Sequence, residues 1–261
     1  MKTSDKKAFF FDYDGTIWFG SYGQKTLKAL KTLTEKGHFV FYNSGRSKAN
    51  TRFDRLGEIH FDGFLFGGCH LELFGKTLFR SDLSREQISA AIAIEDEFNL
   101  RVIYEGVYGV YKKRGVLDWL DGVEQDDISI LLDVEKYPVS KFSVIKQRDE
   151  NGEYMPIDSR AMQKYAEHFK VIEFNNYLEC VQKGLGKSVL AQMVVDELGL
   201  KKENTYAFGD SMNDYEMFTW CNNSVAIGHS PEALKKRAVF VTQEELDGVH
   251  EALVHLGIIE Q

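Results

Sequence analysis

The chain has 261 residues, 43% of them hydrophobic and 28% charged, which suits one large globular domain or two modest ones with a substantial core. Asp and Glu number 40 against 32 Lys and Arg, a net charge of −8. That balance disfavours nucleic acid or an anionic membrane as a partner, because phosphates attract basic surfaces, but it allows a small anionic ligand in a locally positive pocket.

The N-terminal residues MKTSDKK are polar, and the apolar run after them covers only Ala8–Phe11. It is too short for a signal peptide or a membrane span, so a cytoplasmic protein is expected. Residues 8–12 (AFFFD) read as a buried parallel strand, because the apolar run is continuous. Residues 26–36 carry Leu27, Leu30 and Leu33 at helical spacing, with Gly37 as a stop. Residues 38–43 read as a second strand and 47–56 as a second helix ending at Gly57. Two strand–helix units in succession predict a parallel sheet with crossover helices.

From 82 to 181 the strands lengthen and alternate apolar with polar residues, as in 101–112 (RVIYEGVYGVYK) and 139–147. Asn151-Gly152 marks a turn, and helices are expected at 84–98 and 159–169. Alternation predicts an antiparallel sheet with one covered face. Tyr104, Tyr108 and Tyr111 read as sheet packing, and Lys112, Lys113 and Arg114 as a solvated strand end. The last third returns to the first rhythm. Helices are expected at 187–198, 214–221 and 244–256, and strands at 205–208, 225–227 and 239–242. The fold class is therefore α/β: a Rossmann-like, discontinuous core over 1–81 and 182–261, split by an α+β insert over 82–181. Cys69, Cys180 and Cys221 lie far apart, match no metal or disulfide pattern, and are expected as buried thiols.

In such a sheet, ligands bind beyond the carboxyl ends of the strands. Asp12 closes the first strand, and Asp14-Gly15 follows it. The second strand runs into Ser44-Gly45-Arg46, the strand at 205–208 runs into Gly209-Asp210-Ser211-Met212-Asn213-Asp214, and Lys187 opens the helix after the insert. Taken alone, Asp12 and Asp14 are ordinary turn carboxylates, and Asp210 or Asn213 an ordinary helix cap. Gathered on one rim, Asp12, Asp14 and Asp210 repel unless a cation lies among them, and hard oxygen ligands select Mg²⁺. The Ser44 hydroxyl, the Gly45 amide and Lys187 can hold phosphate oxygens. A carboxylate can attack phosphorus, and a second one can serve as acid and then base. GLGKS at 184–188 is not a phosphate-binding P-loop, because Val181 stands where that motif needs its first glycine. The seven histidines show no metal-binding pair spacing.

DYDGT at 12–16, SGR at 44–46, Lys187 and GDSMND at 209–214 together resemble, in order and spacing, the four motifs of the haloacid dehalogenase superfamily of phosphatases. The insert resembles the large α+β (type IIB) cap of its Cof-type subgroup. The resemblance implies Asp12 as nucleophile and Asp14 as general acid/base. It implies Mg²⁺ bound by the Asp12 carboxylate, the Asp14 carbonyl and Asp210. It places Ser44 and Lys187 on the phosphoryl group, with Asn213 and Asp214 orienting the metal shell or the lysine. The expected substrate is a small phosphorylated metabolite, a sugar phosphate ahead of pyridoxal phosphate or a flavin nucleotide, read by a cap hinged near 81–82 and 182–184. The expected assembly is a monomer or homodimer. A phosphomutase of the same superfamily and a non-catalytic phosphate-binding module are the alternatives. Two departures stand out: Ser44 replaces the subgroup's common threonine, and His229, in VAIGHS at 225–230, replaces its common asparagine.

Overall fold

The computed structural model describes residues 6–57, 59–117 and 120–260. They fall into two compact units, one of 1–45, 52–79 and 186–261, the other of 46–51 and 80–185.

The first unit is built on an eight-stranded sheet. Its strands are β1 (Ala8–Phe11), β2 (Phe39–Ser44), β3 (Gly63–Phe66), β4 (His70–Leu73), β5 (Lys76–Arg80), β12 (Thr205–Gly209), β13 (Asn223–Ala226) and β14 (Phe240–Val241). They lie in the order β14-β13-β12-β1-β2-β3-β4-β5. Pairing from β14 through to β3 is parallel, and β4 returns antiparallel to β3. The run of three phenylalanines in β1 follows from this central position. Phe9 and Phe11 join one apolar layer with α1 (Gln24–Glu35) and α6 (Gly248–His255). Phe10 joins the opposite layer with α4 (Lys187–Glu197) and α5 (Tyr215–Trp220). A strand covered on both faces has no polar side to alternate with.

The second unit carries a six-stranded sheet, ordered β10-β11-β9-β6-β7-β8. Its strands are β6 (Arg101–Glu105), β7 (Val110–Lys113), β8 (Val123–Gln125), β9 (Lys141–Ile145), β10 (Phe169–Glu173) and β11 (Tyr177–Gln182). All pairs are antiparallel except β7 with β8. One face packs Val102, Tyr104, Phe142, Val144, Leu178 and Cys180 against Ile88 and Ala91 of α2 (Arg85–Glu97) and Ala161 and Tyr165 of α3 (Ser159–His168). Ser84 and Gln87 cap α2 reciprocally, each side chain accepting the other's backbone N–H.

Several expectations need correction. No α-helix occupies the described part of 47–56; Phe53–Arg55 make a single 3-10 turn. The cause is local competition: the Ser47 hydroxyl accepts from the Asn50 amide, the Thr51 hydroxyl donates to the Ser47 carbonyl, and Arg46 donates to the Asn50 carbonyl. The sequence pattern gives no signal for the hairpin of β4 and β5, because its strands are short and closely bounded by Gly67, Gly68 and Gly75, all at positive φ. The expected long strand over 101–112 is two, folded back where the Gly106 amide meets the Gly109 carbonyl. Tyr108, in that turn, is 74% exposed, whereas Tyr104 and Tyr111 are buried.

The polar face of the second sheet is not solvated either. Glu105, Lys112, Lys141, Ser143 and Glu179 are all buried. Lys141 lies 3.6 Å from Glu105 and 3.5 Å from Glu179, Asn50 donates to Glu105, and Lys112 donates to the Leu117 carbonyl. Buried charges persist only when paired, so the alternation read from sequence marks charge pairing and not water contact. The three cysteines are buried free thiols, as expected. No helix among the described residues is long and apolar enough to cross a membrane.

Phe10→Ala, which removes a fully buried ring beside Phe41, should cost about 3–5 kcal/mol in urea denaturation. Ser84→Ala should cost about 1 kcal/mol through the lost cap.

Candidate active site

The registers of the first sheet place the candidate residues on one rim. Phe11 pairs with Phe208 on one side and with Tyr42 on the other. Asp12, Ser44 and Asp210 therefore all stand at the carboxyl ends of adjacent strands. The Asp12 amide donates to the Phe208 carbonyl at 2.9 Å, which extends the pairing by one residue and fixes where that carboxylate emerges. At Gly15 the backbone turns at φ +77°, and a Cβ there would come within 2.5 Å of Asp210 Oδ2. A side chain at position 15 would thus displace Asp210.

Carboxylate oxygens of Asp12, Asp210 and Asp214 lie within 4.8 Å of one another. Lys187, the first residue of α4, is buried and sends Nζ to Asp12 Oδ1 at 2.9 Å and to Asp214 Oδ1 at 2.7 Å. Asp214 is fully committed: Oδ1 accepts from Lys187, and Oδ2 accepts from the amides of Asp210 and Ser211 at 3.1 and 3.2 Å. The short path from Asp210 to Asp214 closes on itself through these bonds. Gly209 is needed beside it, because a Cβ there would fall 2.4 Å from the Asp214 carboxyl carbon.

Burial pushes the Asp12 carboxyl well above the ordinary carboxylate range; Lys187 pulls it back, and Asp214 and Asp210 push it further up. Asp214 is raised in the same way, by burial first, against the pull of Lys187. Burial opposes the charge on Lys187, yet Asp12 and Asp214 outweigh it and hold the ammonium above its usual range. Three carboxylates face one lysine, so the cluster is short of positive charge, and a divalent cation is the natural complement.

Other predicted residues take different places. The Asp14 side chain is not in the carboxylate cluster; its backbone forms a bridge with Trp18, and the next amide, of Gly15, donates to the Trp18 carbonyl. Ser44 is buried at the end of β2, its carbonyl accepting from the Gly67 amide, and Gly45 follows directly. Asn213 accepts from the Ser211 hydroxyl at 2.9 Å and stays outside the cluster. Sequence reasoning assigned nothing to Thr16, although it closes the first motif; its hydroxyl donates to Asp210 Oδ1 at 3.1 Å. His229 contacts the same carboxylate, with Nε2 3.3 Å from Asp210 Oδ2. That hydrogen bond raises the imidazole pKa, against the lowering effect of burial.

Lys187→Met removes the cation that pairs with both Asp12 and Asp214 and leaves both carboxylates buried. It should cost about 3–5 kcal/mol in denaturant titration at neutral pH.

A family model for haloacid dehalogenase-like hydrolases matches residues 9–253. A Streptococcus pyogenes protein whose name pairs phosphatase with peptidyl-prolyl cis-trans isomerase is 28% identical over all of this chain, which spans 56% of that protein's length. The 5-amino-6-(5-phospho-D-ribitylamino)uracil phosphatase of Bacillus subtilis is 24% identical over 91% of this chain and 93% of its own. Among solved structures, a subclass IIB sugar phosphatase of the superfamily superposes with a TM-score of 0.82 at 22% identity, over 97% of this chain and 100% of that one. A phosphatase from Bacteroides thetaiotaomicron gives 0.83 at 20% identity, over 97% and 96%. At these identities the structural likenesses speak for the fold, and they agree with the resemblance drawn from the four motifs. With a family model covering nearly its whole length, the chain belongs to the haloacid dehalogenase-like hydrolases.

Proposed function

We propose that this hydrolase is a Mg²⁺-dependent phosphatase of the Cof type, acting on a small phosphorylated metabolite through an aspartyl-phosphate on Asp12. The observation that carries the reading is the cluster at the end of β1, where Lys187 bridges Asp12 and Asp214 and a third carboxylate, Asp210, stands alongside.

The donor set suits a hard divalent cation. All three side chains offer oxygen only, and mutual proximity and burial leave them in need of positive charge. Asp214 spends its lone pairs on Lys187 and on the turn. Asp12 and Asp210, with the Asp14 carbonyl, would hold the ion. When bound, Mg²⁺ supplies charge neutralisation for the carboxylates and the phosphoryl oxygens.

The chain's own residues do the rest. Lys187 Nζ and the Ser44 hydroxyl, with the Gly45 amide, bind phosphoryl oxygens and orient phosphorus toward Asp12. An Asp12 oxygen attacks phosphorus in line, the bond to the substrate oxygen breaks, and the Asp14 carboxyl gives that oxygen its proton. Asp14, now a carboxylate, takes a proton from water as the water oxygen attacks phosphorus. The bond to Asp12 breaks, and inorganic phosphate leaves. Asp214 keeps Lys187 in place, and Asn213 braces Ser211 in the same turn.

We assign residues 82–181 the role of a cap that reads the non-phosphate part of the substrate, hinged near 81–82 and 182–184. The insertion of this segment between the second and third motifs supports that role. A sugar phosphate is the substrate class favoured; the subclass IIB neighbour is a sugar phosphatase, and relatives include a ribitylaminouracil phosphatase and HMP-PP phosphatases.

The test is turnover of a generic aryl phosphate with Mg²⁺, followed by a panel of phosphorylated metabolites. Chelation should abolish release of inorganic phosphate and Mg²⁺ should restore it, whereas Asp12→Asn should sit at background with the ion present. Substantial turnover by Asp12→Asn would sink the covalent route.

A further inference from the structure

We infer that His229 is a positioning residue: with Thr16 it clamps the two oxygens of Asp210 and sets that carboxylate for a divalent cation. This rests on the reading of Asp210 as a metal ligand.

The clamp is built from three loops of one sheet rim. Thr16, from the turn after β1, donates to Oδ1 of Asp210 at 3.1 Å. His229, from the loop after β13, lies 3.3 Å from Oδ2 through Nε2. The Asp210 amide is itself tied to Asp214 Oδ2. An ionised carboxylate only accepts, so Nε2 is the protonated nitrogen in this contact. The His229 loop is anchored by its backbone: Ile227 donates to the Gly209 carbonyl, Gly228 to the Thr242 hydroxyl, and Ser230 to the Ile227 carbonyl. A Cβ at Gly228 would fall 2.8 Å from the Thr242 carbonyl oxygen, so the loop lies close against the strand end. Phe19 meets the imidazole edge to face, with centroids 5.8 Å apart, and Glu245 Oε1 lies 3.7 Å from Nδ1. The ring is therefore held on three sides with Nε2 directed at Asp210.

A carboxylate with a donor on each oxygen cannot rotate about its χ2 without losing one of them. Its remaining lone pairs are thus fixed in direction, which is what partners behind a metal ligand accomplish. A partly exposed imidazole–carboxylate contact contributes little to folding, so a purely structural role predicts an unaltered metal affinity on its loss.

The experiment is calorimetric titration of Mg²⁺ and, separately, Co²⁺ into chelator-stripped protein, without substrate. His229→Ala should bind both ions about 10- to 100-fold more weakly than the parent, the range for loss of a partner behind a ligand. His229→Gln, whose side-chain amide nitrogen reaches about as far as Nε2, should recover most of the loss. Unchanged affinity in His229→Ala, or no recovery in His229→Gln, overturns the inference. A loss confined to Co²⁺ overturns it too, since it makes the imidazole a ligand in its own right. Asp210→Asn separates the two levels. If it binds as the parent does, or if the parent binds neither ion, the metal reading of Asp210 fails and this inference falls with it. If only Asp210→Asn weakens binding, the metal reading stands and the role of His229 alone is rejected.

Discussion

The Lys187 ammonium lies between two buried carboxylates, Asp12 near the start of the chain and Asp214 near its end. Without it, burying both would cost several kcal/mol per charge. With it, the first strand, the helix that follows the long insert and the turn after β12 are drawn to one point. The rest of the site is arranged around this bond. Asp214 in turn holds the Asp210 and Ser211 amides, and Asp210 is thereby presented beside Asp12.

The sheet supplies the geometry that the charges need. β1 is central, paired in parallel with β2 and β12, so their carboxyl ends open on the same side. Residues far apart in sequence reach that rim within one pairing step of each other. Glycines at 15 and 209 leave room for the Asp210 and Asp214 carboxylates, which approach the backbone more closely than any Cβ allows. The aromatic layers around Phe9, Phe10 and Phe11 keep β1 rigid on both faces, and a rigid strand end is what allows a carboxylate to be held without relaxing.

The second unit shows the same economy of paired charge in a different setting. Its sheet buries Glu105, Lys141 and Glu179 on the face opposite its helices, where the Lys141 ammonium lies between the two carboxylates. From sequence these positions look like the wet side of a half-covered sheet. Period-two patterning reports which side chains share a face, but it cannot tell water from a buried counter-charge.

Local patterning was enough to read the α/β rhythm and the four motifs. Each depends on contiguous residues: the apolar run 8–11, the glycine stops, and Asp-x-Asp-Gly-Thr or Gly-Asp-x-x-Asn-Asp in a row. The expected helix at 47–56 and the long strand at 101–112 were wrong where side chains and glycines redirect the backbone over three or four residues. What only the tertiary structure decided is who faces whom. That Asp214 binds Lys187 and that Thr16 and His229 hold opposite oxygens of Asp210 are contacts across tens to hundreds of residues. Sequence fixes the chemistry each residue brings; distance and direction between them arise only when the strands pair in register.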